Sequence, residues 1–561
     1  MECRSLPFRQ LPHQSKLFLQ FLDNFSSVKQ FYGHPPTMQA VKTLARSLEY
    51  PRERRAEVAA ILTEQNAAYG AGDATRENLS RFAKGAAAVV SGQQVGLFSG
   101  PAYAIYKAVS AIQIAQELTR SGVDAVPIFW MATEDHDLDE VRSSTWFHNG
   151  KLKRFELPGN GDAGSPVGRI VLGAQVTGMV DEAAGILTAS GGEFLAGIFR
   201  ESFGAQETYG SAFGKLFARL FAEQGLILLD PLDARLHRVG VKVLRKAVEE
   251  RDVLGEALLA RGKELDKAGF AAQVKVTARS TLLFRIGAGT RRETLGETKK
   301  EAEVVTRETA QKSVRQPVTF SGGKFVSGEQ SWTREELVRA VEAEPENFSP
   351  NALLRPVLQD FLLPTVAYIG GPAEISYFAQ AEVIYKKVFG RMPVILPRAS
   401  YTILDAKTEK LLRRYGLKVE DVWRGSQELE RKMETASVPP TLGKNFDKTV
   451  KESARALAQL KKHIVRLDPT LGGAVETAQR KIAFQLEKLK RKTGKERALK
   501  TGLIAAHQEF LESLLYPHRL LQSRELCFLP FLASWGMGGL KELQKLSGSA
   551  KFSEHKILRI P

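Results

Sequence analysis

Cysteine is nearly missing from this 561-residue chain. Cys3 and Cys527 stand near opposite ends, neither with a His or Cys neighbour at metal-ligand spacing. That excludes a disulfide framework and a zinc pattern, and it suits a reduced cytoplasm. If the protein handles thiols, they belong to a substrate and not to the protein. Long apolar runs are missing too: no stretch approaches the length needed to cross a bilayer. The start, MECRSLPFRQLPHQ, lacks the apolar stretch of a secretion signal. A membrane partner is therefore not expected.

What is present describes a large folded chain. With 43% hydrophobic and 25% charged residues it can bury sizeable cores, and its length suggests two to four domains. The net charge is +17, and residues 401–500 carry much of it, with 24 Lys+Arg against 13 Asp+Glu. Such an excess reads as a solvated helical face, as a site for a phosphate-bearing partner, or as an attractor of small anions. An RNA partner is the weakest of these, because no aromatic residues interleave with the basic ones.

The pattern divides the chain. Residues 1–80 read as a mostly helical segment with a break at Gly33-His34-Pro35-Pro36. From 81 to 404 the grammar is α/β. Ala86–Val90 is a buried-type strand, Tyr103–Arg120 a helix with apolar residues at helical spacing, and Val126–Met131 a second buried strand. A strand, a helix and a strand with short joins make a right-handed parallel unit. The same order returns as helix Tyr209–Gln224, strand Leu226–Leu229, strand Thr365–Ile369, helix Ile375–Phe389 and strand Val394–Leu396. An open, mostly parallel sheet covered by helices is implied, with β insertions near 150–175 and 280–330. Residues 405–515 read as a helical domain. Phe446, Val450, Ser453, Leu457, Leu460, Ile464 and Leu467 form a seam at heptad period, and a second seam follows the break at Asp468–Gly473. Two seamed helices around a tight break suggest an antiparallel coiled-coil hairpin that packs on the body or on a second copy. Residues 516–561 are expected to return to the core.

In an open parallel sheet, ligands bind beyond the carboxyl ends of the strands. That rule selects three loops. The first is Ser91–Gly96, containing Gly92, Gln93 and Gln94. Amides offer donors and acceptors that suit sugar hydroxyls or an amino-acid backbone; alternatively they satisfy free N–H groups at a helix start. The second loop carries Glu134, Asp135, His136, Asp137, Asp139 and Glu140, five carboxylates and one histidine within seven residues. Such a cluster could bind an ammonium, hold Mg²⁺ or supply a general base. The plainer alternative has Asp139 and Glu140 capping a helix and the others solvated. The third loop, Gly370-Gly371-Pro372-Ala373-Glu374, would let N–H groups approach an anion at a helix N-terminus. Neither glycine-bearing loop matches the dinucleotide fingerprint or the phosphate loop. Lys107, one turn after Tyr103, either reaches back toward an anion or lies on the surface.

At these loops the sequence resembles a known family. SGQQVGLFSGPAYAIYKA, VPIFWMATEDHDLDEV, FSPNALLRPVLQDFLLPTVAYIGGPAEISYFAQ, MPVILPRAS and LLYPHRLLQSRE resemble, in order, the cysteine-adding enzymes of bacillithiol biosynthesis, the BshC family. The resemblance implies a Rossmann-like core similar to nucleotidyl-transferase folds, with inserted subdomains and a C-terminal coiled coil that makes homodimers. It also implies a cytoplasmic ligase joining the carboxyl of L-cysteine to the amine of glucosaminyl-malate. The histidine and lysine motifs by which related synthetases bind ATP are not evident, and Gln93-Gln94 stands about where the histidine motif would be. Amide formation from a free carboxylate still needs activation, so Mg·ATP is the expected cofactor. On this reading Asp135, His136 and Asp137 are the catalytic candidates, with His136 or Asp135 as the base. Gly92, Gln93, Gln94, Tyr103, Lys107, Glu134, Asp139, Gly370, Gly371, Glu374 and Tyr377 would line the substrates. Arg355 and Arg398 would grip malate carboxylates, unless each is a buried structural ion pair. No metal ligand is assigned. A scaffold subunit of the same pathway, without turnover, is the alternative function.

Overall fold

The computed structural model describes residues 3–159, 164–289, 312–548 and 552–560. Residues 160–163 and 290–311, within the two expected insertions, lie outside the described residues.

The apolar runs marked in the sequence become one five-stranded sheet. Its strands are β1 (Ala87–Gln93), β2 (Ala125–Met131), β3 (Ile227–Leu229), β4 (Thr365–Gly370) and β5 (Val394–Pro397), all parallel in the order β5-β4-β1-β2-β3. Every residue of β2, β4 and β5 is buried, as expected of strands covered on both faces. Helix α1 spans Tyr103–Arg120, α2 Ala234–Glu249, α3 Arg355–Leu362 and α4 Pro372–Ile384. The helix expected to run on to Phe389 instead passes from α4 into one wider π turn, Tyr385–Phe389.

One correction concerns β1. The apolar run stops at Val90, but the strand continues through Ser91 and Gly92 to Gln93. Ser91 Oγ donates to the Ile369 carbonyl across to β4 at 2.8 Å. Gly92 lies so close to β2 that a Cβ there would sit 2.6 Å from the Trp130 carbonyl oxygen. Small residues here let the strands stay paired up to the rim of the sheet.

The inserted segments build their own sheets. Ser143–His148 and Lys151–Glu156 form an antiparallel hairpin. Ser280–Gly289, Lys312–Ser321, Lys324–Ser327, Gln330–Trp332 and Phe348–Pro350 form an antiparallel five-stranded sheet that leans over the carboxyl end of the parallel one. The first eighty residues hold the expected helices and also a strand, Cys3–Pro7, that composition did not reveal. It pairs antiparallel with Glu554–Arg559, which in turn pairs parallel with Ser400–Leu404.

The heptad seams lie on α5 (Pro440–Leu467) and α6 (Gly472–Thr501), joined at Asp468–Leu471. Ion pairs Lys461–Glu476 at 2.6 Å and Lys490–Asp447 at 2.7 Å show the two helices running antiparallel. No residue of α5 is buried, and Leu460, Leu467, Ile482, Phe484 and Leu489 stand exposed along the hairpin. Among the described residues no helix is long and apolar enough to cross a membrane.

Candidate functional site

The strand order reverses between β1 and β4, because α1 leads from β1 to one side and α4 leads from β4 to the other. Such a switch point opens a crevice at the carboxyl ends of the strands. Here it holds a cavity of about 450 Å³. All three loops selected from the sequence reach it, and the inserted sheet closes one side with Phe284 and Arg315.

The floor is a polar network around Lys107. This lysine is buried, so the surface alternative is corrected. Its ammonium pairs with Glu374 at 2.6 Å and donates to the Gly92 carbonyl at 2.7 Å and to Gln93 Oε1 at 2.8 Å. Burial pushes its pKa down, against the opposing pull of Glu374. The anion it reaches is therefore one of the protein's own carboxylates. Glu374 also accepts from the Gly371 N–H at 2.7 Å and from the Tyr368 hydroxyl. This corrects the expectation that Gly370-Gly371 leaves a free anion site: Glu374 caps the helix start itself. Burial would raise the Glu374 pKa, but Lys107 and the Gly371 N–H outweigh it and hold it low.

The two glutamines part company. Gln93 is engaged by Lys107 and donates to the Tyr103 hydroxyl at 3.2 Å. Gln94 reaches the acidic loop, where its Nε2 donates to Asp135 Oδ2 at 2.7 Å. Its Oε1 is buried without a hydrogen-bond partner. Both amides lie at the crevice, but their contacts here are with the protein.

The acidic loop divides in the same way. Glu134 is buried and its Oε1 lies 3.1 Å from Nε2 of His237 on α2, an ion pair without hydrogen-bond alignment. His237 Nδ1 faces the Pro345 and Phe348 carbonyls and so carries a proton; a second proton on Nε2 would give the ring a charge beside Glu134. Burial opposes that charge, yet Glu134 and the carbonyls raise the His237 pKa. Burial alone would also raise Asp135. The Arg315 charge, the Gln94 amide and the His136 main-chain N–H hold it far below the ordinary carboxylate range, which makes it a poor proton acceptor. Asp137 and Asp139 are corrected out of the crevice. Asp137 is exposed and caps the short helix Leu138–Val141 through the Glu140 N–H, while Asp139 pairs with Arg142 at the surface. Glu140, a member of the acidic cluster whose plainer alternative is a helix cap, lines the crevice and also two hollows beside it. The residue is exposed to solvent, and partial desolvation of its carboxyl, with the Asp135 and Asp137 charges, raises its pKa.

Three arginines line the same crevice. Arg355 donates to Gln359 Oε1 at 2.9 Å and to the Tyr377 hydroxyl at 2.8 Å. Arg398 is buried and donates to the Ala399 carbonyl at 2.9 Å; burial and then the Arg524 charge lower its pKa to about 10. Arg524 stands at the mouth, shared with a neighbouring cavity of about 470 Å³. Among the described residues none of the three forms an ion pair, so the structural alternative for Arg355 and Arg398 does not hold. Arg524 lies within LLYPHRLLQSRE, a visible signal; Arg315 and His237 had none.

A parallel sheet in this order, with a crevice at its switch point and an appended coiled-coil hairpin, defines a Rossmann-like protein. Its crevice is lined by side chains of both charges. The chain belongs to the BshC family of bacillithiol biosynthesis. The family's N-terminal Rossmann-like domain matches residues 1–399 and its C-terminal coiled-coil domain residues 401–560. The chain is similar to proteins named "Putative cysteine ligase BshC". The one from Koribacter versatilis is 38% identical, covering 99% of each chain. Those from Solibacter usitatus, 37% identical over 96% of each, and Salinibacter ruber, 30% identical over 94% of this chain and 93% of the relative, carry the same name.

Proposed function

We propose that this protein is a ligase that joins the carboxyl group of L-cysteine to the amine of glucosaminyl-malate. The observation that carries the reading is the charge layout of the crevice. Three guanidiniums, Arg355, Arg398 and Arg524, which form no ion pair among the described residues, line one cavity together with the carboxylates of Glu134, Asp135 and Glu140. A substrate with carboxylates at one end and an ammonium at the other is matched by both sets of charges. The relatives' name supplies cysteine as one partner.

The roles follow from environment. Arg355 and Arg398 hold malate carboxylates, and Asp135, kept ionised, holds the ammonium. Glu140, with its raised pKa, takes the ammonium proton and so frees the nitrogen lone pair for attack on the cysteine carboxyl carbon; the oxygen lost from that carbon as the C–N bond forms would leave on the group that activates it. This replaces the base role expected of Asp135 or His136. ATP is the energy source the reaction calls for. The crevice does not fit its phosphate cradle, because Glu374 occupies the α4 N-terminus and, among the described residues, no group of three metal-ligating side chains converges. No step is therefore routed through it. The exposed apolar edge of the α5–α6 hairpin supports a homodimer.

The test supplies L-cysteine, glucosaminyl-malate and Mg·ATP to the folded protein and follows bacillithiol by mass spectrometry. Product is expected, and an E140Q protein should lose about 100-fold or more. No product from folded wild-type protein, beside a working positive control, would leave the scaffold reading in its place.

A further inference from the structure

The contact between the inserted sheet and the acidic loop has a chemical consequence for His136. Arg315 sits on the strand Lys312–Ser321, 179 residues from that histidine. Its main-chain N–H donates to the Gly164 carbonyl at 2.7 Å. Its Nε donates to the buried Ser349 Oγ at 2.9 Å, and its Nη2 to the Pro350 carbonyl at 2.8 Å. The guanidinium lies 3.8 Å from the centre of the Phe284 ring. These contacts fix the fork and leave Nη1 aimed at His136 Nδ1, 3.0 Å away.

A guanidinium has donors and no acceptor, and it keeps its protons throughout the pH range of proteins. The ring nitrogen facing it must accept. Asp135 Oδ1 lies 3.4 Å from the same Nδ1 and competes for the opposite arrangement, a proton on Nδ1 shared with the carboxylate. One nitrogen cannot do both. The shorter contact decides, since a proton on Nδ1 would be driven against the Nη1 hydrogens. Asp135 Oδ1 has another donor, the His136 main-chain N–H at 2.8 Å, and it keeps the Arg315 charge beside it, with Nη1 3.5 Å away.

We propose that Arg315 is a positioning residue that holds the His136 ring proton on Nε2, so that His136 offers the crevice a hydrogen-bond donor and not a base. The partner this donor fits is an oxygen that gains negative charge, such as the carboxyl oxygen of an acyl group under attack. That last role rests on the proposed ligase reaction; the position of the proton does not.

The full-length protein, labelled with ¹⁵N-histidine, is tested at neutral pH by long-range ¹H–¹⁵N correlation, with H136Q used to assign the His136 signals by difference. The expected pattern is a pyridine-like Nδ1 and a pyrrole-like Nε2. In R315L that pattern should collapse toward an average of the two ring forms, and R315K, which keeps a donor, should restore it. The reverse pattern in the wild-type protein, or two pyrrole-like nitrogens, overturns the proposal, whether or not R315L folds. Turnover tests the donor role. H136Q, with an amide donor near the Nε2 position, should stay within about tenfold of wild type, while H136A falls by about 100-fold or more. Equal losses in the two variants overturn that role. A wild-type protein without turnover removes the ligase reading and leaves the spectroscopic result to stand alone.

Discussion

Removing the Glu374 carboxylate should expose how much of the crevice rests on one buried pair. In E374Q the Lys107 ammonium loses its counter-charge while its side chain stays almost wholly enclosed. Breaking a buried pair by neutralising one partner costs about 3–5 kcal/mol, mostly the penalty of an uncompensated charge. Two acceptors of Lys107 survive, the Gly92 carbonyl and Gln93 Oε1, so the loss should fall toward the lower end. K107M should cost a similar amount, because Glu374 would keep only the Gly371 N–H and the Tyr368 hydroxyl. The double variant K107M/E374Q carries neither orphaned charge. It should therefore be more stable than the sum of the two losses by about 2 kcal/mol or more. Urea unfolding followed by tryptophan fluorescence, at one protein concentration, measures all four proteins. Single losses that simply add, to within about 0.5 kcal/mol, would refute the reasoning.

Three further outcomes are expected. His555 is buried between Ser400 Oγ and Thr402 Oγ1, and burial pushes its pKa down to about 3 from 6.5. Between those pH values the unfolded chain binds a proton that the folded chain refuses, so stability should drop as the pH is lowered from 6.5 toward 3, by at most about 1.4 kcal/mol per unit. H555Q should flatten that slope in thermal melts, and an unchanged slope would count against it. G92A should lower stability by about 1–3 kcal/mol, since the new Cβ meets main chain and not a flexible side chain; an unshifted urea midpoint would contradict this. L460E/L489E should sediment as a monomer where the wild type sediments as a dimer, and a monomeric wild type would dispose of the hairpin interface.

The core sheet was legible because its strands are covered by helices and so carry apolar runs, although in β1 that run ends three residues before the strand does. Helix α1 was legible to the residue, since its apolar spacing is bounded by Pro101 on one side and Ser121-Gly122 on the other. The three crevice loops followed from strand order alone. What the sequence did not show is pairing at a distance. Lys107 looks like a surface lysine until Glu374, from a helix more than two hundred residues on, is placed beside it. Arg315 lies in an insertion whose alternating pattern says strand and nothing about which way it leans. Asp137, Asp139 and Glu140 share one acidic run, and a single turn of helix decides which of them faces the cavity.

The strand Glu554–Arg559 sits between Cys3–Pro7 and Ser400–Leu404 and is the middle member of its sheet. During synthesis its two neighbours must therefore wait, one of them for more than five hundred residues, before either edge can be joined. That sheet cannot be completed in the order in which it is made, so its two outer strands keep an open edge until Glu554–Arg559 arrives. Removing that strand would leave both neighbours without a partner and cost more than its length suggests.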